Sequence, residues 1–155
     1  MDEMTNPMDK LHGYYFEDLE VGMHDVFAKT VTDADIMAFA GISGDTNPVH
    51  LNHEFASLTM FEGRIAHGML SASFISAVIG TRLPGTGAIY LSQNLRFRAP
   101  VKPGDLVTAR VRVISLDQAK RRATLACSAH VGETLAIDGD ALVMIPSRGE
   151  TDSAS

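Results

Sequence analysis

Asp45 and His50 stand five residues apart in Ser43-Gly44-Asp45-Thr46-Asn47-Pro48-Val49-His50, the densest polar stretch of an otherwise apolar region. Gly, Asn and Pro favour turns, so the chain can fold back and aim a carboxylate and an imidazole at one water molecule. Unperturbed groups of these types titrate near ~3.9 and ~6.5 and can pass protons around neutrality. A positioned acid or base contributes ~100- to 10,000-fold to a reaction. The expected setting is burial of the carboxylate beside the apolar helix that follows. The same residue types also make Asx-turns and helix caps with no chemistry attached, and spacing alone leaves both uses open.

His67-Gly68-Met69 opens the longest helical pattern of the chain. The N–H of Gly68 has no partner inside such a helix. It lies at the positive end of the helix dipole, and glycine lets a ligand come close. A thioester oxygen placed there gains negative charge as an enolate forms, and an N–H donor stabilises it. Joined to Asp45 and His50, this suits addition of water to a carbon–carbon double bond conjugated to a thioester. Water loses a proton as it attacks the β-carbon, and the α-carbon receives one. The plainer alternative is an ordinary helix start with a packed histidine, since every helix start offers free N–H groups.

The elements that must position these residues follow from periodicity. His24 to Val31 is a short strand. Thr32, with Asp35 three residues on, forms a capping-box pattern, and Ile36, Met37, Phe39 and Ala40 carry helical spacing after it. A second short helix is expected over Glu54 to Met60. The long helix runs from Gly68 to about Arg82, where Pro84 and Gly85 stop it. It is apolar on nearly every side, so it should be buried on nearly every side. Ile89 to Phe97, Leu106 to Leu116, Arg121 to His130 and Thr134 to Ile145 read as strands with short separations, an antiparallel meander. A fully apolar helix must be wrapped and a sheet must cover one face. The expected fold is therefore α+β: a hot dog, in which a curved antiparallel sheet winds round a long central helix. One domain spans residues 14–147, with loose ends at 1–13 and 148–155.

The bulk numbers narrow the function. A chain of 155 residues suits one domain. A net charge of -6 argues against nucleic acid as a partner. Cys127 is the single cysteine, so an internal disulfide is excluded and a reducing, cytoplasmic compartment is expected. The first ten residues do not have the pattern of a signal or transit peptide. Met69 to Gly80 is too short for a membrane span, which takes ~20 residues.

The stretches Ala40 to His50, Ile65 to Met69, Ile89 to Phe97 and Pro100 to Asp105 together resemble the signature of the MaoC-like (R)-specific enoyl-CoA hydratases. The resemblance covers roughly Phe16 to Pro146. It implies the hot-dog fold and a homodimer. It implies that Asp45 and His50 activate a water, that Asn47 supports their loop, and that Gly68, with His67 beside it, binds the thioester carbonyl. Ser76 resembles a serine near the pair in some members. The implied product is a (3R)-hydroxyacyl-CoA, made with no cofactor beyond the coenzyme A of the substrate, and polyhydroxyalkanoate supply is one use of it.

Other signals carry less. His50 and His53 are three apart, but zinc wants three or four ligands and no third is evident, so no metal is expected. Leu83 to Gly87 lacks the third glycine of a dinucleotide fingerprint. Ser71, Ser73 and Ser76 form no nucleophile elbow, and Cys127 reads as packed. Arg64, Arg82, Arg96 and Arg98 are candidates for coenzyme A phosphates, although a solvated or ion-paired place is the commoner fate of an arginine. Two other functions compete. A thioesterase of this fold often carries a carboxylate on the central helix, and Gly68 to Arg82 has none. A non-catalytic acyl-CoA-binding module should have lost Asp45 or His50, and both are present.

Overall fold

The computed structural model describes residues 6–149, so the expectations for 1–5 and 150–155 lie outside the described residues. The main elements are β1 (His24–Thr30), α1 (Asp33–Ser43), α2 (Pro48–Leu51), α3 (His53–Ser57), α4 (Gly68–Thr81), β2 (Ile89–Gln93), β3 (Arg96–Phe97), β4 (Leu106–Asp117), β5 (Arg122–Val131) and β6 (Thr134–Met144). The capping box forms as the sequence indicates: the N–H of Asp35 donates to Thr32 Oγ1, and the N–H of Thr32 to Asp35 Oδ2. Gly44 then ends α1 in the left-handed region at φ +78°.

The strands form one antiparallel sheet in the order β1-β4-β5-β6-β2, with β3 also on β6. One face of it is continuous core. Val107, Ala109, Val111 and Val113 of β4 alternate inward, as do Ala123, Leu125, Cys127 and Ala129 of β5. Helix α4 lies on this face through Leu70, Phe74, Ile75, Val78 and Ile79, all buried. Full burial of side chains of the Val, Leu and Ile class contributes about 1.5–3 kcal/mol each. Phe74 meets Phe27 of β1 edge to face, with centroids 5.7 Å apart. The curved sheet around a central helix is the arrangement the pattern implied.

Four details differ from expectation. The meander holds for β4, β5 and β6, but β2 crosses to pair with β6 at the far edge. The strand expected over Ile89 to Phe97 breaks at Asn94. Asn94 donates its N–H to Asp140 O and accepts from the N–H of Asp140 through Oδ1, lying so close to Gly139 that a Cβ there would sit 1.9 Å from Asn94 O. The helix expected over Glu54 to Met60 is shorter, His53–Ser57, started by Asn52, whose side chain accepts from the N–H of Phe55, and a separate turn, Pro48–Leu51, precedes it. Helix α4 is not buried all round: Met69, Ser73, Ser76 and Gly80 form an exposed stripe at helical spacing.

Parts of the expected loose ends are tied down. Pro7–Leu11 is a 3-10 turn, and the N–H of Gly13 donates to Thr86 O. Arg148 grips Asp18 with two hydrogen bonds and covers the Tyr15 ring. Among the described residues no helix is long and apolar enough to cross a membrane.

Candidate active site

The loop from Ser43 to His50 is held by a chain of local bonds. Ser43 Oγ donates to Phe39 O and accepts from the N–H of Asp45. Asp45 Oδ1 accepts from the N–H of Asn47 at 3.3 Å, an Asx-turn. Asn47 Oδ1 accepts from the N–H of Val49 and caps α2, in which Pro48 takes the first turn. The turn use of these residues is therefore realised. Asp45 spends one carboxylate oxygen on the turn and keeps the other for different partners. Asn47 makes its side-chain contact within this loop, as the cap of α2.

His50 is buried, and its Nδ1 lies 2.8 Å from Ile65 O. A carbonyl oxygen only accepts, so Nδ1 carries a hydrogen, and in the neutral form of the ring Nε2 is the acceptor. The Arg64 Nε–H holds the carbonyl of His50 at 2.7 Å, while Arg64 Nη1 pairs with Asp33. Arg64 thus braces the loop. Arg82 lies over Phe27 and bonds Val26 O, and Arg98 is paired with Asp138. Of the four candidate arginines, Arg98 alone lines the cavity described below.

His67 is buried at 2% exposure and stacks on His50 with centroids 3.8 Å apart. Its Nε2–H donates to the backbone carbonyl of Asp45 at 2.9 Å. One ligand atom each from Asp45, His50 and His67 falls within 4.8 Å of the others. A bridging water spans roughly twice a 2.8 Å hydrogen bond, so one water fits between side chains at this separation. The fold thus groups three potential metal ligands where the sequence showed two, and His53 is not one of them. The two rings are only 27° from parallel. An ion ~2 Å from a ring nitrogen cannot lie in both planes, so the geometry suits a water better than a metal.

A cavity of about 450 Å³ opens beside this cluster. Asp45, His67, Gly68 and Ser71 line it among apolar groups that include Ile65, Met69, Phe97 and Ile137. Its size is that of a small-molecule pocket. Gly68 starts α4, and neither its N–H nor that of Met69 has an acceptor among the described residues. The Phe97 ring lies so near that a Cβ on Gly68 would meet it at 2.7 Å. The fold therefore clusters Asp45, His50 and His67, with Asn47 in the same loop, and puts Asp45, His67 and Gly68 on the cavity wall, while His50 is not part of that lining.

It does not bring Ser76 there, which is exposed on α4 and outside the cavity lining. Asp45 is likewise exposed within one chain, contrary to the expected burial. Ser71 was passed over in the sequence. It is wholly buried, lines the cavity, and its Oγ has no hydrogen-bond partner. Its place one helical turn after His67 was the available signal.

Comparison with known proteins agrees with this architecture. The MaoC like domain matches residues 20–134. The 3-hydroxybutyryl-CoA dehydratase of Methylorubrum extorquens is 50% identical over 145 residues, 94% of this chain and 92% of the relative. The (R)-specific enoyl-CoA hydratase of Rhodospirillum rubrum is 52% identical over 141 residues, 91% of this chain and 98% of the relative. The solved (R)-hydratase from Aeromonas caviae, involved in PHA biosynthesis, superposes with a TM-score of 0.81 at 46% identity, covering 84% of this chain and 99% of its own. With the domain matched across most of its length on a hot-dog fold, the chain belongs to the MaoC-like family.

Proposed function

We propose that this protein is a hydro-lyase that reversibly hydrates trans-2-enoyl-CoA to (3R)-hydroxyacyl-CoA. The observation that carries the reading is that Asp45 and the unpartnered N–H of Gly68 face one apolar cavity while a ring nitrogen of His50 lies within 4.8 Å of the Asp45 carboxylate. His50 Nε2 takes a proton from water while the free oxygen of Asp45 orients that water. The water oxygen bonds to the β-carbon, the double bond opens toward the α-carbon, and a proton is returned there. The Gly68 N–H holds the thioester oxygen while it carries charge. Asn47 holds the loop, and His67 borders the substrate beside Gly68. The reaction is redox-neutral and consumes only water, so the reading calls for no cofactor beyond coenzyme A in the substrate.

Two features support a homodimer. Strand β2 pairs with β6 on one side and leaves its other edge open, with Ile89, Tyr90 and Leu91 exposed. Such an edge is a template for a second strand. The exposed stripe of α4 lies on the same chain, and in this reading Ser76 faces the second subunit. The single buried Cys127 supports a reducing, cytoplasmic setting.

The test is hydration of crotonyl-CoA by the wild type and by Asp45→Asn and His50→Ala, with product chirality read out. Each variant should lose ~100- to 10,000-fold while keeping its fold. A variant near the wild-type rate refutes the pair. Release of free thiol by the wild type would favour a thioesterase, against which stands the absence of any carboxylate on α4.

A further inference from the structure

We infer that His67 is a positioning residue rather than a substrate ligand, and that Ser71 fixes its tautomer. This deepens the proposed hydratase reading and rests on it.

His67 touches three parts of the site at once. Its Nε2–H holds the carbonyl of Asp45 at 2.9 Å. Its ring stacks on His50 at 3.8 Å, with Phe39 tilted against it at 4.8 Å. Its backbone is the N-cap of α4, immediately before Gly68, and its carbonyl accepts from the N–H of Leu70. A single side chain therefore sets the height of the carboxylate loop and the plane of the base against the helix end that would take the thioester oxygen. Misplacement of a reacting group by ~1 Å costs about 100-fold, so such a residue acts on rate without touching substrate.

The tautomer matters to this. Because Nε2 donates to a carbonyl, Nδ1 of the neutral ring is an acceptor. That Nδ1 is buried and has no partner. Ser71, four residues on and one turn along the helix, carries a buried hydroxyl that also has no partner. One lacks a donor and the other an acceptor, and both residues line the same cavity. Buried polar atoms left in this state are costly, and a trapped water joining them resolves both. The Ser71 hydroxyl, donating through such a water, locks the hydrogen on Nε2, where the Asp45 carbonyl needs it. A neutral ring stacked on His50 also accepts a transient positive charge there without repulsion.

The experiment separates donor from ring. His67→Phe keeps a stacking ring and loses the donor. His67→Gln keeps an N–H near the Nε2 position. On crotonyl-CoA, the Phe variant should lose about tenfold or more in kcat with KM within about twofold, and the Gln variant should recover most of that loss. Ser71→Ala should lower kcat about three- to tenfold, and much less when combined with His67→Phe, because the two then act on one step. Circular dichroism and Tm report folding. If the Phe variant fails to fold, His67→Asn, whose amide reaches only the Nδ1 place, should show the same kcat loss. The inference is overturned if KM rises while kcat holds, which marks a substrate ligand, or if the Phe variant matches the wild type. Wild-type protein that does not hydrate crotonyl-CoA, or an undiminished Asp45→Asn, would instead refute the proposed function itself.

Discussion

Adding one methyl group at Gly68 tests the helix-end donor directly. The Cβ of Gly68→Ala would lie 2.7 Å from two carbons of the Phe97 ring. Ordinary carbon contacts are ~3.5–4.0 Å, so the overlap is about 1 Å. Phe97 is 55% exposed and belongs to a strand of two residues, so its ring can swing aside. Overpacking that neighbours can relieve costs about 1–3 kcal/mol, and the protein should stay folded with a lowered Tm. Rate should suffer more than stability. The methyl group fills the gap between the start of α4 and Phe97, where a thioester has to enter to reach the Gly68 N–H. Denying one oxyanion donor costs ~100- to 1,000-fold in kcat, about 2.7–4 kcal/mol on the barrier. The assay is initial-rate hydration of crotonyl-CoA with Tm in parallel, on Gly68→Ala and on Gly68→Ala combined with Phe97→Ala. The double variant removes the clash and should regain Tm without regaining rate. Full recovery of rate in the double variant would refute the argument, because the displaced ring, not the obstructed N–H, would then be the cause.

Two other predictions follow from the packing. Gly139→Ala would place a Cβ 1.9 Å from the backbone oxygen of Asn94, and no side-chain rotation relieves that contact; a loss of about 3 kcal/mol or more is expected, read as a clear drop in Tm, and an unchanged Tm would refute the assigned β6 approach. Burial pushes the Cys127 thiol up to about 11, so at pH 8 it is protonated and enclosed; a thiol-specific chromogenic disulfide should label it in denatured protein and barely in native protein, and native labelling at the free-thiol rate would contradict its burial.

The sequence is most legible where one residue decides a local structure. Thr32 and Asp35 announce the start of α1, and the box they form is there. Gly68 to Thr81 carries an apolar pattern that ends near Pro84, and α4 matches it closely. The turn between Asp45 and His50 is local, so its Asp, Asn and Pro could be read directly. Legibility fails where distant segments decide. Asn94 breaks its strand because Gly139, forty-five positions later, leaves room for its backbone. The β2–β6 pairing is equally non-local, and nothing within β2 names its partner. Ser71 and Ser76 sit on one helix five residues apart. Which of them faces the cavity of one chain depends on the sheet packed against that helix, and spacing within the helix does not say that it is Ser71.

The braces around residue 65 have a wider consequence. Ile65 exchanges bonds with Val49 and the His50 ring, Arg64 holds the His50 carbonyl, and Ala66 donates to Val101. The excursion from 52 to 63 therefore leaves and rejoins the body at points fixed independently of its own contents. It carries Phe55, Leu58 and Met60 outward into solvent and Phe61 to the cavity rim. A segment tethered in this way can change in length and composition and reshape what enters the pocket without shifting the side chains of Asp45, His50 and His67 behind it.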